Sequence, residues 1–142
     1  MKDILTAPFM VEMIRTTENM YAHGWDERNG GNISLRLDTA ELGEYLDTGA
    51  VLRELPTGFA APELEDAYFL VTGTGKYFKN VRYAPEVNLG IVRLIEGGAV
   101  AQLLWGFTDG GAFTSEFPAH MMSHVARLSI DPHSRVDRKS VV

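Results

Sequence analysis

The stretch NLGIVRLIEGGAVAQLLW, residues 88–105, decides the fold. It holds two apolar runs of strand length, 88–95 and 99–105, with Glu96-Gly97-Gly98 between them. A glycine pair supplies the positive φ that a tight reversal demands, so the two runs predict a β-hairpin. Upstream, Ala67–Thr72 is a compact apolar strand that runs into a turn at Gly73–Gly75. Downstream, a polar loop over 106–114 leads to a helix at about 117–128. Its apolar positions are Phe117, Met121, Val125 and Leu128, with Ser115 as cap.

Farther out, Phe9, Met10, Met13, Ile14, Thr17, Met20 and Tyr21 recur at helical spacing and predict a helix over 8–23. Thr6 suits its N-cap, Pro8 its first turn and Gly24 its stop. Asn32–Leu37 then alternates, with Ile33, Leu35 and Leu37 on one face and Ser34 and Arg36 on the other, which predicts a half-buried strand. Residues 38–66 are acidic, aperiodic and interrupted by Pro56, Gly58 and Pro62, and read as a long surface excursion. The order of elements is that of a layered α/β domain.

Composition narrows the class. The chain has 142 residues, 45% hydrophobic and 23% charged, which suits one globular domain with a core. No apolar run approaches the roughly 18 residues of a membrane span. The opening MKDILTAPFMVEM, with Asp3 and Glu12, does not read as a secretory signal. Without cysteine there is no disulfide framework and no thiolate metal site, in keeping with a reducing cytoplasm. A net charge of −6 argues against a nucleic-acid surface but leaves room for a small phosphorylated metabolite, which backbone N–H groups can hold.

Three clusters carry chemistry. In WDERNGGNISLR, residues 25–36, Gly30 and Gly31 let a ligand approach the backbone, and Asn29 and Asn32 can donate amide hydrogens to an oxyanion. The same pattern also describes a plain glycine turn flanked by asparagines. In VTGTGKYFKN, residues 71–80, the phosphate-loop pattern fails, because Leu70 stands where its first glycine belongs and Tyr77 follows the lysine. Phe78 likewise breaks the dinucleotide fingerprint. An anion-binding concavity or an ordinary strand-to-loop turn both remain. In FTSEFPAHMMSH, residues 113–124, hydroxyls of Thr114 and Ser115 precede a helix start that can hold an anion. Glu116 is either a general acid/base or a helix-start glutamate favoured by the macrodipole. His120 and His124 share a helix face, but Met121 stands where a zinc HExxH motif needs glutamate, which favours packing or interface roles.

Taken in order, WDERNGGNISLR, FLVTGTGKYFKNV, NLGIVRL and LLWGFTDGGAFTSEFPAH closely resemble the N-terminal half of class II aldolase/adducin-like proteins, specifically the L-rhamnulose-1-phosphate aldolase branch. The resemblance runs from about residue 4 to Val136 and is weakest over 38–66. It implies a three-layer αβα fold with a central, mostly antiparallel sheet, here C-terminally truncated. The reaction it implies is zinc-dependent cleavage of L-rhamnulose 1-phosphate to dihydroxyacetone phosphate and L-lactaldehyde, within rhamnose degradation, in a cytoplasmic homotetramer. Zinc in this family acts as a Lewis acid on the enediolate. By resemblance, Asn29, Gly31, Asn32, Thr74, Gly75, Thr114 and Ser115 hold the phosphate and neighbouring oxygens, and Glu116 is the acid/base. Related phosphosugar aldolases such as L-fuculose-phosphate aldolase, 4-epimerases and a non-catalytic adducin-like domain are the alternatives.

The tail departs from the family. His-x-His, the family's first two zinc ligands, belongs on the strand after the helix, but the chain reads IDPHSRV and then DRKSVV. His133 has no histidine two residues away. Asp137–Val142 matches the in-frame translation of the sequencing-adapter sequence GATCGGAAGAGCGTCGTG, which is followed there by TAG, so an adapter-encoded tail is expected, with a natural frameshift or stop as the alternative. Residues 1–136 are therefore expected to be the N-terminal part of one domain and 137–142 a non-native tail, with no zinc bound. Unpartnered strand edges and apolar faces, poor solubility and inactivity are the expected consequences.

Overall fold

The computed structural model describes residues 2–22, 32–74, 80–130 and 139–141. Six strands form one sheet in the order β2-β5-β4-β3-β1-β6: β1 Ile33–Leu37, β2 Arg53–Pro56, β3 Tyr68–Thr72, β4 Leu89–Ile95, β5 Val100–Gly106 and β6 Lys139–Val141. Every neighbouring pair is antiparallel. Among the described residues four helices accompany it: α1 Pro8–Ala22, α2 Thr39–Leu42, α3 Pro85–Asn88 and α4 Phe117–Ile130.

The β4–β5 hairpin forms as its sequence requires, with Glu96, Gly97 and Gly98 all at positive φ. Gly98 could not be another residue without collision, since a Cβ there would lie 2.9 Å from the Ala61 backbone. Leu104 is the extra residue of a bulge, because Ile91 pairs with Trp105 while Val92 pairs with Leu103. The bulge puts Leu104 and Trp105 on one face after Ala101 and Leu103 on the other.

The sheet is buried on both faces. Leu35, Leu70, Ile91 and Leu104 pack with Phe9, Met10 and Met13 of α1. On the opposite face Phe69, Val71, Val92 and Leu103 pack with Phe117 and Met121 of α4. Two helical layers around one sheet make the three-layer αβα arrangement.

Several details correct the reading from sequence. Thr6 does not cap α1. It ends a 3-10 turn, Ile4–Thr6, and its hydroxyl donates to the Asp3 carbonyl at 2.6 Å. Strand β1 is not half-buried, because α4 covers the face that carries Ser34, which is wholly buried. The 38–66 excursion holds α2, the edge strand β2 and a 3-10 turn at Pro62–Leu64, with Leu42, Ala61 and Leu64 buried. These apolar residues are too widely spaced for a periodic signal, and Pro56 is tolerated because it ends an edge strand. The outer edge of β1 is paired rather than open, since Lys139–Val141 adds to it as β6. Main-chain pairing of this kind asks only for extended backbone, which most sequences supply.

Candidate active site

Three chain segments meet at one end of the sheet. Ser34 lies opposite Val71, so the start of β1 sits beside the end of β3. There the Ile33 N–H donates to Thr72 Oγ1 at 3.1 Å. Beyond β5 the chain doubles back: the Phe107 N–H donates to the Leu89 carbonyl at 3.0 Å, and Phe113 bridges Gly73. The reversal needs Gly106, whose φ is +94° and whose added Cβ would lie 2.0 Å from the Leu89 carbonyl oxygen. Arg53 of β2 clasps the returning loop by donating to the Gly111 carbonyl.

The bridge fixes the hydroxyl cluster. The Thr114 N–H donates to the Thr72 carbonyl and the Thr74 N–H to the Ala112 carbonyl, each at 2.9 Å. Thr114 is held in place by β3; its Oγ1 accepts the Glu116 N–H at 3.2 Å and its carbonyl accepts the Phe117 N–H at 3.0 Å. Thr114 thus opens the turn that leads into α4, and Ser115 lies in that turn and is exposed. Glu116 is exposed beside it.

Of the residues singled out from sequence, Asn32, Thr74, Thr114, Ser115 and Glu116 come to this end of the sheet through those bonds. Asn29, Gly31 and Gly75 lie outside the described residues, as do Gly24, Gly30 and His133.

The packing role expected for His120 and His124 is met in a buried polar cluster whose third member, Ser34, sequence reasoning did not assign to it. Ser34 Oγ lies 2.9 Å from His120 Nδ1 and 3.0 Å from His124 Nε2. His120 Nε2 is in turn hydrogen-bonded to Asn32 Oδ1. Burial, with smaller contributions from the charges of Arg127, His120 and Arg36, pushes the His124 pKa down to about 3. The i, i+4 histidine spacing was the available signal, but Ser34 read as solvent-facing hid their partner.

Among the described residues no group of three or more His, Cys, Asp or Glu could hold a metal. Both histidines of α4 are turned to Ser34, so the described residues do not fit a zinc site. A cleft of about 700 Å³ opens between the end of α1 and the 80–83 turn, lined among others by Glu18, Tyr21, Arg82 and Tyr83. None of its lining residues is a predicted site residue, and Arg82 pairs within it with Glu18 at 3.9 Å.

The class II aldolase and adducin N-terminal domain profile matches residues 11–131. The chain belongs to the class II aldolase and adducin family. It is 58% identical over 135 residues to rhamnulose-1-phosphate aldolase of Listeria monocytogenes, covering 95% of this chain and 50% of that protein. To the Enterococcus faecalis rhamnulose-1-phosphate aldolase it is 52% identical, covering 94% of this chain and 48% of the relative. A crystal structure of a sugar-phosphate aldolase from Thermotoga maritima superposes with a TM-score of 0.65 at 30% identity, covering 87% of this chain and 50% of that one. This class II aldolase domain therefore spans about half the length of the curated relatives it matches.

Proposed function

We propose that this chain is the phosphate-holding, proton-transferring half of an aldolase that cleaves L-rhamnulose 1-phosphate to dihydroxyacetone phosphate and L-lactaldehyde. The observation that carries the reading is the convergence of Asn32, Thr74, Thr114 and Ser115 at the N-terminus of α4, next to Glu116. Hydroxyls and a side-chain amide gathered at a helix start supply the donors that a phosphate dianion requires. Asn29, Gly31 and Gly75 complete the grip in this reading.

With the phosphate fixed, Glu116 stands at the carbon next to the ketose carbonyl. In cleavage the bond between the two carbinol carbons breaks, the aldehyde leaves, and its electron pair remains on the ketone fragment as an enediolate. Glu116 delivers a proton to that carbon and completes dihydroxyacetone phosphate. In the condensation direction it removes the same proton. The proton of the departing hydroxyl goes to a group outside this chain. We propose one Zn²⁺ per subunit in the intact protein, a cytoplasmic homotetramer, with ligands from outside the described residues.

Product analysis tests the reading on the full-length protein. Equimolar dihydroxyacetone phosphate and L-lactaldehyde are expected from L-rhamnulose 1-phosphate. A 4-epimer with no carbon–carbon cleavage would instead place the protein with the epimerase cousins.

A further inference from the structure

We infer that Ser34, His120 and His124 are positioning residues that lock the Asn32 side-chain amide with its N–H₂ end toward the anion. The inference rests on the proposed role of Asn32 in holding phosphate.

Hydrogen-bond bookkeeping fixes the direction. The Asn32 Oδ1 can only accept, so His120 Nε2 carries the proton. In the neutral ring His120 Nδ1 is then a bare acceptor, and Ser34, 2.9 Å away, donates its hydroxyl proton to it. That hydroxyl has one proton, so toward His124 it can only accept, and His124 Nε2, 3.0 Å away, is the N–H. The relay is therefore His124 to Ser34 to His120 to Asn32, each member donating to the next. Ser34 and His120 are wholly buried and His124 is 2% exposed, so water does not compete for the two Ser34 bonds, while Asn32 at the end of the relay is partly buried. The depressed pKa of His124 keeps that ring neutral, as the relay requires.

The relay matters because an asparagine amide is nearly symmetric in shape. Without a directional partner it turns over at small cost and presents its carbonyl oxygen to a phosphate, which repels it. Turned over against His120 Nε2–H, it would set donor against donor at a partly buried contact. Orientation is thus settled before the ligand arrives, the condition for preorganised anion binding. The cluster joins β1 to the first two turns of α4, so the helix that Glu116 immediately precedes and the residue that grips the phosphate share one scaffold.

The test is binding of inorganic phosphate to the full-length protein, titrated for the native sequence and for Asn32→Ala, His120→Leu, His120→Gln and the Asn32→Ala/His120→Leu pair. His120→Leu is expected to weaken phosphate about tenfold, the scale of one hydrogen bond to a charged group. His120→Gln, whose amide places a donor near the Nε2 position, restores most of that affinity. In the Asn32→Ala background His120→Leu adds nothing. Equal weakening by His120→Leu with and without Asn32, or none with Asn32 present, overturns the relay. Unchanged affinity in Asn32→Ala overturns the reading of Asn32 itself, and that result is separate from the first. Nitrogen-15 spectra of the histidine rings give a second measurement independent of variant folding: His120 protonated on Nε2 is expected, and the Nδ1–H tautomer contradicts the relay.

Discussion

His124 makes folding pH-dependent in a calculable way. Its pKa falls from 6.5 in the unfolded chain to about 3 in the fold, chiefly because burial disfavours the charged ring. The cationic neighbours Arg127 and Arg36 push in the same direction, as does His120. A depressed histidine pKa means that the unfolded state binds the extra proton, so stability falls as pH drops through the unfolded value of 6.5 toward 3 and is fully present above 6.5. At pH 5.0 the unfolded ring is charged and the folded ring neutral. The gap of 1.5 pH units at about 1.36 kcal/mol each gives about 2 kcal/mol lost relative to pH 7.5. That is a large share of the roughly 5–15 kcal/mol that holds an ordinary domain together. His124→Gln keeps an amide donor for Ser34 but cannot titrate. Urea unfolding of both proteins at pH 7.5 and 5.0 isolates the histidine: the native chain should lose about 2 kcal/mol more than the variant. Equal losses would show that His124 is not buried neutral against Ser34, and the cluster as described would be wrong.

Gly106→Ala should cost about 3 kcal/mol or more by denaturant unfolding, because its Cβ would strike the Leu89 carbonyl at a φ of +94°. Thr114→Ala, which removes the acceptor for the Glu116 N–H, should cost about 1 kcal/mol by the same assay, and Thr114→Ser should recover it.

Much of the fold was legible because it rests on local patterns. The hairpin at 96–98, strand β3 and helices α1 and α4 each announce themselves through glycine placement or apolar period. What escaped was set by tertiary context. Ser34 alternates with apolar residues and so reads as solvent-facing, yet α4 lies over it and supplies two histidines as partners. Strand β2 is short and its residues alternate between partly buried and exposed, so the hydrogen bonds to β5, not its composition, make it a strand. The site was legible as separate clusters at 25–36, 71–80 and 113–124, but their meeting depends on the Gly73–Phe113 bridge, which joins residues 40 apart. The turn before α4 depends on the same bridge, which holds Thr114 where its hydroxyl accepts the Glu116 N–H.

The most direct test of the central claim is the kcat of Glu116→Gln in the full-length protein, this chain continued to the length of its curated relatives. With L-rhamnulose 1-phosphate as substrate, the native protein should release dihydroxyacetone phosphate. The variant should retain its fold and its phosphate affinity while kcat falls roughly 10²- to 10⁴-fold. Cleavage at an unchanged rate by Glu116→Gln would contradict the assignment of this half as the proton-transferring part of an aldolase.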